Sequence, residues 1–242
     1  RLTRVFAAAG MPVMEGYGLT ETSPVVTVNM YKDKMFKVGT VGKAIRNVEI
    51  KIAEDGEILV KGPCVMQGYY KNPELTAGVM TGDYFHTGDK GEIDTEGFLK
   101  ITGRKKEIFK TSGGKYISPA LLENEMKQSR FIEQILVIGE GQKMACALVQ
   151  PNFNFVREWA SRHGHDVGNS FEELINNQSV KDRIMEEIDY GNKKFGKWET
   201  IKIIELTPDE WTVDNDLLTP TFKPKRIEII KKYKHLYDNI YQ

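Results

Sequence analysis

The sequence predicts a mixed α/β protein in two parts, a hairpin-rich first hundred residues followed by a region alternating strands with amphipathic helices. Three observations predict it. Short alternating segments separated by Gly-containing turns run as far as residue 104. Two continuous apolar runs, residues 134–139 (QILVIG) and 144–149 (MACALV), have the length of strands covered on both faces. Around and after them, apolar residues recur at helical spacing.

Taken in order, residues 48–53 (VEIKIA) alternate apolar and polar, and 57–60 (EILV) follow Asp55-Gly56, a hairpin signal. Residues 91–94 and 98–102 repeat that arrangement across Thr95-Glu96-Gly97. Such strands suit a small barrel or sheet. The basic segment Arg104-Lys105-Lys106-Glu107 marks a change of texture, so the boundary is expected there, between residues 1–104 and 105–242. A short strand at 108–110 leads to Ser112-Gly113-Gly114. Ser118-Pro119 reads as a helix start, with Ser as N-cap and Pro at the first helical position. Leu121, Leu122 and Met126 mark its buried side. A helical stretch is expected over 153–192, where Phe153, Val156 and Ala160 share one face and Val180, Ile184 and Ile188 recur every fourth residue. Residues 198–206 read as a strand, and 225–241 as a closing amphipathic helix carrying Ile227, Ile230, Tyr233 and Tyr237.

Composition narrows the function. Lys plus Arg and Asp plus Glu both total 34, which removes any electrostatic reason to expect nucleic acid as a partner. No apolar stretch approaches the roughly 18 residues of a membrane span. Cys64 and Cys146 sit in separate apolar runs and are expected as two buried thiols rather than a disulfide or metal pair. The opening Arg-Leu-Thr-Arg has neither an initiator Met nor a signal peptide, so the expectation is a chain that starts partway along its protein.

Four segments have the residue types of nucleotide chemistry. In Glu15-Gly16-Tyr17-Gly18-Leu19-Thr20-Glu21, glycines beside an aromatic allow backbone to approach a flat ring, on whose face Tyr17 can stack. Thr20 offers a hydroxyl to a phosphate and Glu21 a hard oxygen to magnesium. Taken alone, the segment equally describes a turn with a core tyrosine. In His86-Thr87-Gly88-Asp89, at the end of a strand, the carboxylate can accept two ribose hydroxyls; His86 is assigned no chemistry. Gly103-Arg104-Lys105-Lys106-Glu107-Ile108 is either a solvated charge run or a hinge whose Arg104 reaches a nucleotide. The last segment, Thr219-Pro220-Thr221-Phe222-Lys223-Pro224-Lys225-Arg226, is a loop before the closing helix.

In this order and spacing, YGLTE, HTGD, GRKKEIFKTSGGKYISP and TPTFKPKR resemble the adenylate-forming (AMP-binding) acyl-CoA synthetases, and the likeness extends to GYYKNPELT and DTEGFLKITGR. The TPTFK form and the helical insertion at 153–192 look most like a bacterial long-chain-fatty-acid–CoA ligase. The resemblance implies the end of a large AMP-binding domain followed by the small mobile C-terminal domain. It implies a two-step reaction in which a fatty acid and ATP give acyl-AMP and pyrophosphate, and coenzyme A then displaces AMP. Residue by residue, it implies that Tyr17, flanked by Gly16 and Gly18, stacks on adenine, that Thr20 contacts phosphate and that Glu21 binds magnesium. Asp89 and Arg104 would contact ribose, and Lys106 would be the hinge. Gly113 and Gly114 would line the coenzyme A path, and Lys223 would bridge the acyl carboxylate and α-phosphate in the first step. Pro224, where the family usually has an aliphatic residue, weakens the choice of Lys223 over Lys225. The family's Ser/Thr/Gly-rich phosphate loop and acyl pocket precede YGLTE, so a fragment inactive by itself is expected, completed by the N-terminal part of its own protein. A cytoplasmic location is implied, with peripheral association at the inner face of a membrane left open. Open alternatives are a ligase for another carboxylic or amino acid and a stand-alone AMP-binding regulatory module.

Overall fold

The structure, a computed structural model, describes residues 2–31 and 35–242. The chain divides into two compact units, Arg1–Lys106 and Glu107–Gln242.

The first unit opens with helix α1 (Leu2–Ala8), none of whose residues is buried. Strands β1 (Gly16–Tyr17), β2 (Thr27–Val28) and β3 (Lys43–Ala44) form a three-stranded antiparallel sheet. A second antiparallel sheet follows. Its strands β4 (Glu49–Ile52) and β5 (Glu57–Lys61) are joined by the Asp55-Gly56 turn, where Gly56 has a φ of 86° and Asp55 Oδ1 accepts from the Glu57 amide at 3.0 Å. Helix α2 (Pro73–Gly78) is N-capped by Asn72, whose Oδ1 accepts from Leu75 N, and has Pro at its first position. Strands β6 (Met80–Thr81), β7 (Tyr84–Ile93) and β8 (Leu99–Arg104) complete the sheet, ordered β4-β5-β7-β6 with β8 also on β7. Val26, Ile58, Val60 and Leu99 form its core. One expectation is corrected here. His86-Thr87-Gly88-Asp89 lies inside β7, because that strand pairs with β5 on either side of the motif (Leu59 opposite His86, Glu57 opposite Lys90) and with β8 from Asp89 onward (Asp89 opposite Arg104).

The second unit begins with a small hairpin, β9 (Phe109–Lys110) and β10 (Tyr116–Ile117), and helix α3 (Pro119–Met126). Ser118 occupies the N-cap position, although its side chain makes no capping bond. The central sheet pairs β11 (Ile132–Ile138) antiparallel with β12 (Cys146–Pro151), and β12 parallel with β13 (Ile204–Leu206). Both apolar runs are strands buried on two faces, and alternate side chains go to opposite cores. Ile135, Val137, Ala147 and Val149 join α3 and the helices α4 (Phe153–Arg162), α5 (Phe171–Asn176) and α6 (Gln178–Asn192). Leu136, Ile138, Cys146 and Leu148 join Trp211, Leu217 and the helices α7 (Arg226–Lys232) and α8 (Lys234–Tyr241). Each fully buried aliphatic side chain here contributes roughly 1.5–3 kcal/mol.

Four expectations need revision in this unit and one in the first. The stretch 153–192 is three helices, broken at Gly164 and Gly168, both at positive φ, and restarted by caps at Ser170 and Asn177. Only Ile204–Leu206 of the expected strand pairs with β12; the preceding residues are held as a loop by Asn192, whose side chain bonds both N and O of Ile201. The closing helix divides at Tyr233, whose buried ring and 2.8 Å bond to Asp209 fix a non-helical backbone. Ile227 is 79% exposed, so it lies off the buried face. In the first unit Cys64 is only half-buried, whereas Cys146 is buried, and both thiols are free. Among the described residues no helix is long and apolar enough to cross a membrane.

Candidate nucleotide site and loops

In the first unit, the sheet brings Tyr17, Asp89 and Arg104 together. Tyr17 is fixed by the pairing of β1 with β2 and by Val26 N donating to its carbonyl at 2.8 Å. Its hydroxyl donates to Asp89 Oδ2 at 2.7 Å, and Arg104 Nε lies 3.3 Å from Asp89 Oδ1. The Asp89 side chain is 8% exposed, so this carboxylate is desolvated yet keeps a charged partner. Burial and the neighbouring Asp89 push the Tyr17 phenol well above its ordinary range, so it stays a donor at any working pH. Asp89 Oδ2 accepts the Tyr17 hydroxyl and Oδ1 faces Arg104 as an ion pair, and a carboxylate oxygen can accept more than one donor.

The flanking glycines do more than admit a ring. A Cβ on Gly18 would stand 1.7 Å from Pro24 O, and one on Gly16 would stand 3.0 Å from Thr27 O. The space a side chain would need at either glycine is therefore filled by the protein's own backbone. Thr20 and Glu21 follow on a single 3-10 turn, Thr20–Thr22, with Thr20 exposed. Tyr69 donates its hydroxyl to Glu21 Oε1 at 3.0 Å, and Met66 N donates to the Glu21 carbonyl at 2.8 Å. No cluster of three or more His, Cys, Asp or Glu that could hold a metal occurs among the described residues. Glu21 thus offers one protein oxygen, which suits magnesium, an ion that completes its shell with water and phosphate.

Sequence reasoning missed Glu57 and Tyr69. Glu57 is buried beneath His86-Thr87-Gly88-Asp89 and accepts from His86 Nδ1, Gly88 N and Lys105 Nζ. Its position in EILV gave no sign of this, because its cover comes from two extra residues of β7 accommodated opposite it.

In the second unit the remaining residues sit on two separate loops. Gly113 and Gly114 cap the β9–β10 hairpin. Gly114 has a φ of 79° and its N donates to Thr111 O at 2.9 Å, while Ser112 N is braced by Gln142 O. Lys223 lies on a tight turn in which Thr219 N donates to Lys223 O at 2.8 Å and Lys223 N donates to Thr219 Oγ1 at 3.1 Å. Phe222 beside it has a φ of 59°. Lys225 is committed to an ion pair with Asp216, and among the described residues no ion pair involves Lys223. Arg226 anchors the turn by donating to Val137 O at 2.6 Å and to Glu123 Oε1 at 2.5 Å.

The first unit thus holds a buried acid between a tyrosine and an arginine, and the second carries a glycine hairpin tip and a lysine turn. The chain belongs to the AMP-binding enzyme family: the model of the AMP-binding enzyme matches residues 1–70, and that of the AMP-binding enzyme C-terminal domain matches residues 106–242. It is 36% identical over its whole length to the long-chain-fatty-acid–CoA ligase FadD15 of Mycobacterium tuberculosis, covering 40% of that protein. It is 38% identical to human long-chain-fatty-acid–CoA ligase 1, with 99% of this chain and 36% of that one covered. The chain therefore spans about two fifths of the length of the curated relatives it matches. Among solved structures, unliganded O-succinylbenzoate coenzyme A synthetase of Bacillus subtilis matches at a TM-score of 0.65 and 25% identity, over 86% of this chain and 42% of that one. The A domain of a carboxylic acid reductase from Segniliparus rugosus shares the fold at a TM-score of 0.75 and 21% identity, over 99% of this chain and 37% of that one.

Proposed function

We propose that this chain is the C-terminal, nucleotide-handling part of an ATP-dependent long-chain fatty acid–CoA ligase. The carrying observation is the desolvated Asp89 carboxylate, held by Tyr17 and Arg104 with acceptor capacity to spare. That arrangement suits a ribose bearing two adjacent hydroxyls. The Tyr17 hydroxyl, tied to the same carboxylate, fixes the ring plane against which adenine stacks. The names of the long-chain relatives, which match along the whole of this chain, support the substrate class.

In the first step the fatty acid carboxylate attacks the α-phosphate of ATP and pyrophosphate leaves. Lys223, with no ion pair among the described residues where Lys225 has one, neutralises charge building on the carboxylate and α-phosphate, while Thr20 donates its hydroxyl to phosphate. Glu21, oriented by Tyr69, would hold magnesium, which neutralises phosphate charge when bound. In the second step the thiol of coenzyme A attacks the acyl carbon and AMP leaves with the bonding pair. Gly113 and Gly114 keep the thiol path clear of side chains, and Lys106, at the junction of the two compact units, is the hinge between the orientations each step needs. The test is acid-dependent pyrophosphate release and thioester formation by the full-length protein with palmitate, acetate and benzoate. A preference for palmitate is expected; activity with the shorter or aromatic acid alone would overturn the long-chain assignment.

A further inference from the structure

Glu57 is a buried carboxylate for which the two-step reaction has no use. A regular antiparallel ladder pairing Glu57 with Lys90 would pair Leu59 with Gly88, yet Leu59 faces His86. Two extra residues of β7 are therefore accommodated opposite Glu57, in the stretch that ends at Asp89. There, backbone pairing with β5 cannot set the path of β7. Side chains substitute for it: Thr87 Oγ1 donates to Ile58 O at 2.8 Å and accepts from Asp89 N at 3.1 Å, and the Glu57 carboxylate supplies the charged tie. Its Oε1 accepts from Gly88 N at 2.9 Å, and its Oε2 from His86 Nδ1 at 3.0 Å and Lys105 Nζ at 2.7 Å. Gly88 immediately precedes Asp89, and Lys105 immediately follows Arg104. Lys105 is further held by Asp55 at 2.8 Å, and its backbone N donates to Gly88 O at 2.8 Å.

We propose that Glu57 is a positioning residue of the ribose site, a carboxylate on β5 that holds the paired Asp89 of β7 and Arg104 of β8 in place from one side, through Gly88 and Lys105. The inference rests on the reading of Asp89 and Arg104 as ribose contacts. Burial works against the Glu57 anion, but the bonds from His86, Lys105 and the Gly88 amide outweigh it and hold the carboxyl below its usual range, so the anchor is charged under working conditions. Gln at this position keeps the size and one acceptor for Gly88 N. It would present an NH2 to Lys105, and the two strands would lose their common charged tie.

The test measures dissociation constants of the full-length protein for AMP and for 2′,3′-dideoxy-AMP by equilibrium dialysis. Wild type should prefer AMP by about tenfold or more, the worth of hydrogen bonds to a charged acceptor. Glu57→Gln should lose most of that preference with its affinity for the dideoxy nucleotide unchanged, and Lys105→Arg should keep it. If Glu57→Gln does not fold, as judged by its circular dichroism, Lys105→Met removes the same tie from a half-exposed side chain and is held to the same outcome. Retention of the full preference, or equal weakening toward both nucleotides, would show a structural role only and overturn the proposal. A wild type without preference would sink the ribose reading itself, and the inference with it.

Discussion

Replacing Gly18 by Ala adds one methyl group in a place where there is no room for it. The new Cβ would lie 1.7 Å from Pro24 O, 2.6 Å from Pro24 C and 2.9 Å from Val25 Cα, whereas real Cβ atoms keep at least 3.0 Å from such neighbours. All three obstacles are backbone, so no side chain can swing aside. The Pro24 carbonyl must retreat by more than an ångström, and the next residues along carry the bond from Val26 N to Tyr17 O. Losing that bond releases Tyr17 from β2 and breaks the 2.7 Å contact between its hydroxyl and Asp89. Overpacking together with one lost bond to a charged acceptor amounts to about 2–5 kcal/mol. Urea unfolding monitored by circular dichroism, with AMP affinity by dialysis on the full-length protein, should show both losses. Gly78→Ala at the end of α2 is the control. Nothing lies within 4 Å of its Cβ, and a helical Ala should be neutral or stabilising by up to about 1 kcal/mol. An unchanged unfolding midpoint and AMP affinity for Gly18→Ala would refute the reasoning.

Three further outcomes are expected. Lys223→Ala should lower acyl-AMP formation by roughly 10²–10³-fold and spare thioester formation from pre-made acyl-AMP, whereas Lys225→Ala, which removes an ion pair with Asp216, should affect the first step little; single-turnover assays of each half-reaction decide between the two lysines. Gly114→Leu should do the reverse, slowing the thioester step, with a folding penalty of about 1–2 kcal/mol because its φ of 79° is left-handed. Urea midpoints should fall as pH is lowered through and below about 4. Asp209 and Glu57 are both held below the ordinary carboxylate range, because bonds from Lys232 and Tyr233, and from His86 and Lys105, outweigh burial. The unfolded chain thus takes up protons first, and the stability these carboxylates give is present above their ordinary pKa and lost below it. Asp209→Asn and Glu57→Gln should each flatten that fall.

Much of this architecture could be read from local pattern. The Asp55-Gly56 hairpin and the two covered strands of the second unit are set by neighbouring residues and by alternation, so the sequence carries them openly. Tyr17, Asp89 and Arg104 were identifiable as separate candidates through their motifs. Their convergence depends on contacts 72 residues apart, between Tyr17 and Asp89, that no local pattern encodes. The breaks were hidden for a similar reason. Tyr233 fits the helical period perfectly well, and only its burial against Trp211 and its bond to Asp209 divide the closing helix. Glu57 was invisible because two extra residues of β7, a strand some thirty residues further on, cover it.

Each compact unit happens to contain one of the chain's two cysteines, and the two differ sharply in their surroundings. Cys146 lies fully covered in the middle of the second unit's sheet, where burial raises its thiol pKa. Cys64 is half-exposed in the first unit. An alkylating reagent added to the native protein will therefore mark Cys64 directly and reach Cys146 only when the sheet around it opens. The rate at which the second label appears is a clock for the opening of that one unit, read on an unmodified sequence while the rest of the chain stays folded.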